Sequence, residues 1–220
     1  MARTLTHGEA RVFYDRIGAR NDWLAFQEDA ARAELIAHGE FGRATVVIEF
    51  GCGTGRLAAT LLADRLPRHC NYLGIDMSET MVRLARTRLA PWADRARVEQ
   101  TTGAIEVPAA DGACDRFVST YVLDLLSEAD IRALLAEARR KLAPEGLLCL
   151  VSLTRGATRP SAAVMRVWTA LHALRPSLVG GCRPIEIGAY LDEGAWRIVH
   201  HRVRTTFAVS SEIAVAARRA

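Results

Sequence analysis

Thr45-Val46-Val47-Ile48-Glu49-Phe50-Gly51-Cys52-Gly53-Thr54-Gly55-Arg56-Leu57-Ala58-Ala59 joins an apolar, β-branched run to a helix-forming run through three glycines at alternate positions. A strand, a glycine-rich turn and a helix in that order let the backbone approach a ligand where a Cβ would collide. The helix start also aims unpaired N–H groups at that ligand. A second apolar stretch, Tyr72-Leu73-Gly74-Ile75, ends at Asp76. An acid about twenty residues past such a turn suits a nucleoside ribose, because a carboxylate accepts from both hydroxyls.

The chain alternates around this unit. Strands are predicted at 45–50, 72–76, 97–101, 114–120 and 147–153, with helices at 56–66, 78–90 and 127–142 between them. Runs that are apolar on both faces and separated by helices give a parallel sheet wound on both sides. Upstream, Thr6-His7-Gly8-Glu9 has capping-box spacing ahead of Ala10, Phe13 and Ile17, and Asp22 opens a second helix with Trp23, Phe26, Ala30, Ala33 and Ala37 along one face. Downstream the rhythm changes: a helix at 161–174, a loop around Gly180 and Gly181, then strands at 196–206 and 212–217 close enough for a hairpin. The expected fold is α/β: a Rossmann-like, doubly wound, mostly parallel seven-stranded sheet with a C-terminal antiparallel hairpin and N-terminal helices. Residues 1–43 are expected to cap the ligand and residues 44–220 to form the core, with 155–183 as an insertion on its acceptor side.

Composition narrows the partners. At 220 residues, 50% hydrophobic and 25% charged, the chain reads as one ordinary globular unit. The net charge of +4 comes almost wholly from arginines scattered among acids, since Lys141 is the only lysine. The densest cluster, Arg139-Arg140-Lys141, falls in the last turn of a helix, where cations offset the dipole without a partner, so no nucleic acid is expected. Five cysteines, odd in number and never in a C-x-x-C pair, argue against a disulfide framework or zinc site and for a reducing cytoplasm. There is no signal-like apolar region, and the best apolar run, 147–153, is too short to span a bilayer. A cytoplasmic monomer or homodimer is expected.

The glycine spacing discriminates between nucleoside ligands. A dinucleotide turn, G-x-G-x-x-G, would place its third glycine at Arg56, whose bulk crowds helix–strand packing, and Glu49 would repel a pyrophosphate. A ligand bearing a cationic amine and a sulfonium suits Glu49 instead. On Glu49-x-Gly51-x-Gly53-x-Gly55, on Gly74-Ile75-Asp76-Met77-Ser78-Glu79 and on the terminal hairpin, the chain resembles the class I S-adenosylmethionine-dependent methyltransferases. It is most similar to the small-molecule branch that includes ubiquinone/menaquinone-biosynthesis methyltransferases. The resemblance implies S-adenosyl-L-methionine as cofactor. It places Gly51, Cys52 and Gly53 under the methionine part, with Gly55 and Arg56 closing the turn and Glu49 facing the amino group. It gives Asp76 the ribose hydroxyls and Met77 the adenine face. Where the family often has Gly-Asp-Ala, this chain has Thr102-Gly103-Ala104, which leaves adenine to backbone groups of Gly103, Ala104 and Ile105. Ser119, Thr120 and Tyr121 match the family's fourth motif, beside the methionine and the acceptor, and Tyr14 and Arg16 an N-terminal motif that closes over the cofactor.

Three residues are candidates for catalysis: Tyr121, Asp124 and His172. Asp124 follows the fourth strand, where a carboxylate can take a proton from an acceptor or can cap a neighbouring turn. His172 sits on an apolar helix beside Trp168, a setting that suits a packed histidine as well as a base. Met77 also fits an ordinary core methionine, and Cys52 a small filler. His200 and His201 are adjacent in a strand, face opposite sides and cannot jointly bind a metal; no metal is expected. The expected reaction is methyl transfer to a small molecule: a quinone precursor, lipid, acid or amine. The alternatives are a non-catalytic S-adenosylmethionine- or S-adenosylhomocysteine-binding subunit and a nucleic-acid methyltransferase. The latter usually carries an Asn/Asp-Pro-Pro-Tyr/Phe tetrad where this chain has Ser119-Thr120-Tyr121-Val122.

Overall fold

The computed structural model describes residues 4–18 and 28–219. Helix α1 (His7–Ile17) opens on the expected capping box, in which the Thr6 hydroxyl accepts the Glu9 N–H at 3.2 Å and Glu9 accepts the Thr6 N–H at 2.8 Å. Asp22, Trp23 and Phe26 lie outside the described residues. Helix α2 (Asp29–His38) buries Ala31, Glu34 and Leu35, while Ala30, Ala33 and Ala37 of the expected face are exposed. An alanine methyl is too small to decide which face is covered; Leu35, fully buried, decides it.

Strand β1 (Val46–Phe50) leads through the glycine turn to α3 (Arg56–Asp64), β2 (Asn71–Asp76), α4 (Glu79–Leu89) and β3 (Ala96–Gln100). Then come β4 (Cys114–Thr120), α5 (Glu128–Lys141), β5 (Leu142–Leu153), α6 (Arg159–Leu174), β6 (Trp196–Thr206) and β7 (Val209–Arg218). The seven strands form one sheet in the order β3-β2-β1-β4-β5-β7-β6, in which β7 runs antiparallel to both neighbours and the first five are parallel. Strand β5 begins five residues earlier than its apolar run, because Leu142 pairs with Cys114 before the register shifts to Leu147 opposite Arg116. Pro144, Glu145 and Gly146 fill that excursion.

Alternation along each strand builds two cores. Val47, Val118, Cys149 and Val215 face one set of helices, and Ile48, Phe117, Leu148 and Ala214 the other. Full burial of each large aliphatic residue contributes about 1.5–3 kcal/mol. The neighbours of β1 are β2 on one side and β4 on the other, so the chain reverses direction across the sheet there. In open α/β sheets a crevice forms beyond the strand ends at such a switch point.

Candidate active site

The three glycines of the turn have left-handed φ values of 75°, 52° and 75° and three different neighbours. A Cβ on Gly51 would stand 2.3 Å from Val122 Cγ2, and one on Gly55 3.2 Å from the Ala85 Cα, whereas one on Gly53 would meet nothing within 4 Å. Gly53 therefore faces open space. The turn is held from below by Ile75, whose carbonyl accepts the N–H groups of Gly51 at 2.8 Å and Cys52 at 3.0 Å. Asp76, at the tip of β2, accepts the Gly53 N–H and the Ser78 N–H, each at 2.9 Å. Burial raises its pKa, against those backbone donors.

Glu49 sits beneath the turn, 1% exposed, and accepts the Tyr72 hydroxyl at 2.7 Å. Burial pushes its pKa up to about 7, although the Tyr72 hydrogen bond and the nearby Arg32 charge act in the other direction. Helix α1 closes the crevice from the front. Its Asp15 accepts the Ser78 hydroxyl at 2.6 Å and the Thr80 N–H at 3.2 Å, which fastens α1 to the start of α4.

These groups line one cavity of about 520 Å³, within the size range of small-molecule and cofactor sites. At one end lie Gly51, Cys52, Gly53, Arg56, Asp76, Met77, Gly103 and Ile105; at the other lie Thr120, Tyr121, Asp124, Leu153, Trp168 and Cys182; Tyr14 and Glu49 also line it. Five of the expected residues do not line it. Gly55 packs on α4, the Ser119 hydroxyl donates to the Phe50 carbonyl at 3.0 Å, and Arg16 and Ala104 are exposed. His172 is buried on the inner side of α6, where burial lowers its pKa.

Asp124 is 1% exposed, and neither carboxylate oxygen makes a well-formed hydrogen bond among the described residues, although the backbone of Asp124 and Leu153 and the Cys182 thiol stand close enough to act on it. Burial raises its pKa to about 7 against those backbone donors; nearby Glu28 adds to the rise, and Arg183 opposes it. Beside it Tyr121 has a φ of 57°, unusual for a bulky side chain, and its hydroxyl lies 2.9 Å from the Ser211 hydroxyl. Burial raises the Tyr121 pKa well above its ordinary value. In the 155–183 segment, expected on the acceptor side, Arg159, Arg175 and Arg183 do not line the cavity, and Arg183 Nη2 donates to the Leu126 carbonyl at 2.7 Å.

Two residues of α2 and its N-terminal flank enter the cavity without having been singled out in the sequence: Arg32 and Glu28, paired at 2.7 Å. Arg32 lies over the Tyr121 ring at 5.8 Å, and its Nε and Nη1 are buried without a hydrogen-bond partner among the described residues. The one available signal is an arginine between Ala31 and Ala33, three residues before Leu35, in an alanine-rich helix. Away from the cavity, Glu34, His38 and His200 converge with ligand atoms within 4.8 Å of one another. The two imidazoles are stacked 3.6 Å apart and 6° from parallel, so an ion shared between them would lie outside both ring planes. Glu34 also holds Arg204 through two hydrogen bonds. As alternation along β6 requires, His200 meets Glu34 at 3.0 Å while His201 meets Glu212 at 2.7 Å.

The glycine turn and the acid of the next strand both fall within residues 47–146, which match the model of the family described as "Methyltransferase domain". The matched segment runs from β1 to the start of β5 and includes the turn, Asp76 and Asp124. Trans-aconitate 2-methyltransferase of Azoarcus sp. (strain BH72) is 31% identical over 176 residues, which is 79% of this chain. The chain spans 63% of that relative's length. Among solved structures, the cyclase SpnF superposes with a TM-score of 0.71 at 14% identity, over 98% of each chain. Geranyl diphosphate C-methyltransferase from Streptomyces coelicolor A3(2), solved with Mg2+, geranyl diphosphate and S-adenosyl-L-homocysteine, gives a TM-score of 0.66 at 14% identity over 87% of this chain and 79% of its own. The structural likenesses bear on the fold alone, which is the expected seven-stranded one.

Proposed function

We propose that the protein binds S-adenosyl-L-methionine at the Gly53–Asp76 end of the cavity and methylates a small, largely apolar acceptor at the Asp124 end. The observation that carries this reading is Asp124 itself: a buried carboxylate with no well-formed hydrogen bond, its pKa raised by burial to about 7, in the same cavity as the glycine turn. A base poised near neutral pH serves an acceptor that must lose a proton, such as a phenol, enol or acid.

The residues fit the cofactor. Gly53 leaves room where a side chain would intrude, Asp76 presents a carboxylate to a ribose, and Met77 and Ile105 offer apolar cover for a base. When bound, S-adenosyl-L-methionine supplies an electrophilic methyl group on a sulfonium. The chain's own part is alignment, exclusion of water and proton handling. Tyr14, Phe13 and Trp168 screen the cavity from solvent; Asp124 accepts the acceptor's proton; Arg32, with two buried N–H groups unpartnered, offers donors to an anionic oxygen.

The relative's name specifies an acid, trans-aconitate, and one structural neighbour was solved with an isoprenoid diphosphate. Leu125, Leu126, Leu153, Leu178 and Val209 line this cavity's acceptor end, which favours an apolar skeleton with one ionisable oxygen. Among the classes named from the sequence, a quinone precursor, lipid or apolar acid fits better than a plain amine. Calorimetric titration with S-adenosyl-L-methionine and S-adenosyl-L-homocysteine tests the first half. A panel of quinols, apolar acids, lipids and amines with a labelled methyl donor tests the second. Cofactor binding with no transfer to any acceptor would favour the non-catalytic binding subunit.

A further inference from the structure

The apolar arc of α6 is wider than the protein covers. Ser161, Met165 and His172 are buried beneath the helix, yet Val167 is 62% exposed, Leu174 79% and, just beyond, Leu178 56%. Val164 and Leu171 are exposed as well. At 3.6 residues per turn, Val164, Val167, Leu171 and Leu174 form one stripe, roughly 110° around the axis from the buried one. Isolated apolar residues on a surface need no explanation; a continuous stripe does.

Charge around the stripe has one sign. Between Glu145 and Glu186 the chain contains no Asp or Glu and five arginines: Arg155, Arg159, Arg166, Arg175 and Arg183. Arg155 pairs with Glu186 at 3.2 Å. Arg159, Arg166 and Arg175 are exposed and form no ion pair among the described residues. Arginine stems can lie along apolar surface while their heads reach outward.

We propose that this face of α6 docks on an anionic lipid surface, with the aliphatic stripe in the acyl boundary and the arginines at the headgroups. A helix with an apolar side, basic flanks and no acid has the make-up of an interfacial helix. A second copy of the chain fits less well, because a two-fold contact through this face would set the arginines of both copies together with no acid to pair them. A protein partner would be expected to meet an aromatic anchor, and the stripe is wholly aliphatic. Docking would set the acceptor end of the cavity, into which α6 sends Trp168, against the bilayer.

The test is flotation of the full chain with phosphatidylcholine vesicles, with and without phosphatidylglycerol. The chain should rise with the anionic vesicles and be released as salt increases. Val167→Glu with Leu174→Glu should weaken partition by about tenfold or more. Arg166→Glu with Arg175→Glu should lose the preference for anionic vesicles, by about fivefold or more per arginine. All four positions are exposed, and an unchanged melting temperature shows that the variants fold. No flotation with either vesicle overturns the proposal, as does flotation that the Val167/Leu174 variant leaves intact. A dimer in sedimentation that this variant dissociates, without vesicle binding by the parent chain, assigns the face to a second copy instead.

Discussion

The Gly53 N–H donates to Asp76 at 2.9 Å, so the turn after β1 and the acid that ends β2 hold each other in place. The carboxylate's second oxygen takes the Ser78 N–H and ties in the start of α4. Asp76→Asn would turn an amide N–H toward one of these donors. Cofactor affinity should fall roughly 10- to 100-fold, the range for losing a hydrogen bond to a charged group, as read by calorimetry.

Asp124→Asn separates proton handling from binding. No hydrogen bond joins its side chain to the glycine turn or to Asp76, so cofactor affinity should stay within about twofold. Turnover of an acceptor that must lose a proton should drop about 10²- to 10⁴-fold. The parent rate should rise with pH through a limb near 7, the pKa that burial gives Asp124, and the variant should lack that limb. Unchanged turnover would remove Asp124 from the chemistry.

The same substitution should stabilise the free protein at alkaline pH. Burial raises the Asp124 pKa to about 7, so the native state holds a proton between pH 4 and 7 that the unfolded chain has already lost. The folded state binds more protons in that window, and stability therefore falls as pH rises through it. Asparagine has no proton to lose. The variant's melting-temperature advantage should be smallest near pH 4 and level off above pH 7, at on the order of 3 kcal/mol or roughly 6–12 °C. Glu49, whose pKa is also about 7, adds a similar slope to both proteins and cancels in the comparison.

Gly51→Ala tests why the first glycine is there. The new methyl would stand 2.3 Å from Val122 Cγ2 on a backbone with a φ of 75°. The clash and the left-handed conformation should together cost about 2–4 kcal/mol in thermal melts. Adding Val122→Ala should recover the steric part and leave about 1–2 kcal/mol of backbone strain. Gly53→Ala, with nothing within 4 Å, should show only the strain in stability but a marked loss of cofactor affinity.

Much of the fold was legible because strand and helix periods alternate cleanly from Val46 to Leu153, and because burial on both faces leaves little freedom of register. The early start of β5 was not, since a pairing at Leu142 that skips to Leu147 has no apolar signature. The face of α2 was misjudged where three alanines outvoted one leucine. At the site, the turn and Asp76 are local in sequence and could be read as a unit. Arg32 and Glu28 reach the cavity only because α2 packs against β5 and β7, a relation no local pattern encodes. Ser119 and Thr120 show the limit of motif transfer: adjacent strand residues point to opposite sides, and only Thr120 meets the cavity.

The place of β7 between β5 and β6 has a consequence for biosynthesis. A ribosome delivers strands in chain order, so β6 emerges before β7, its neighbour in the sheet among the described residues, has been made. Ile198, Val199 and Val203 then stand on a strand with no ladder to join until residues 209–218 slot in beside β5. Closing the sheet is thus a late, non-local event, and the nascent chain is most open to mispairing in the interval just before it.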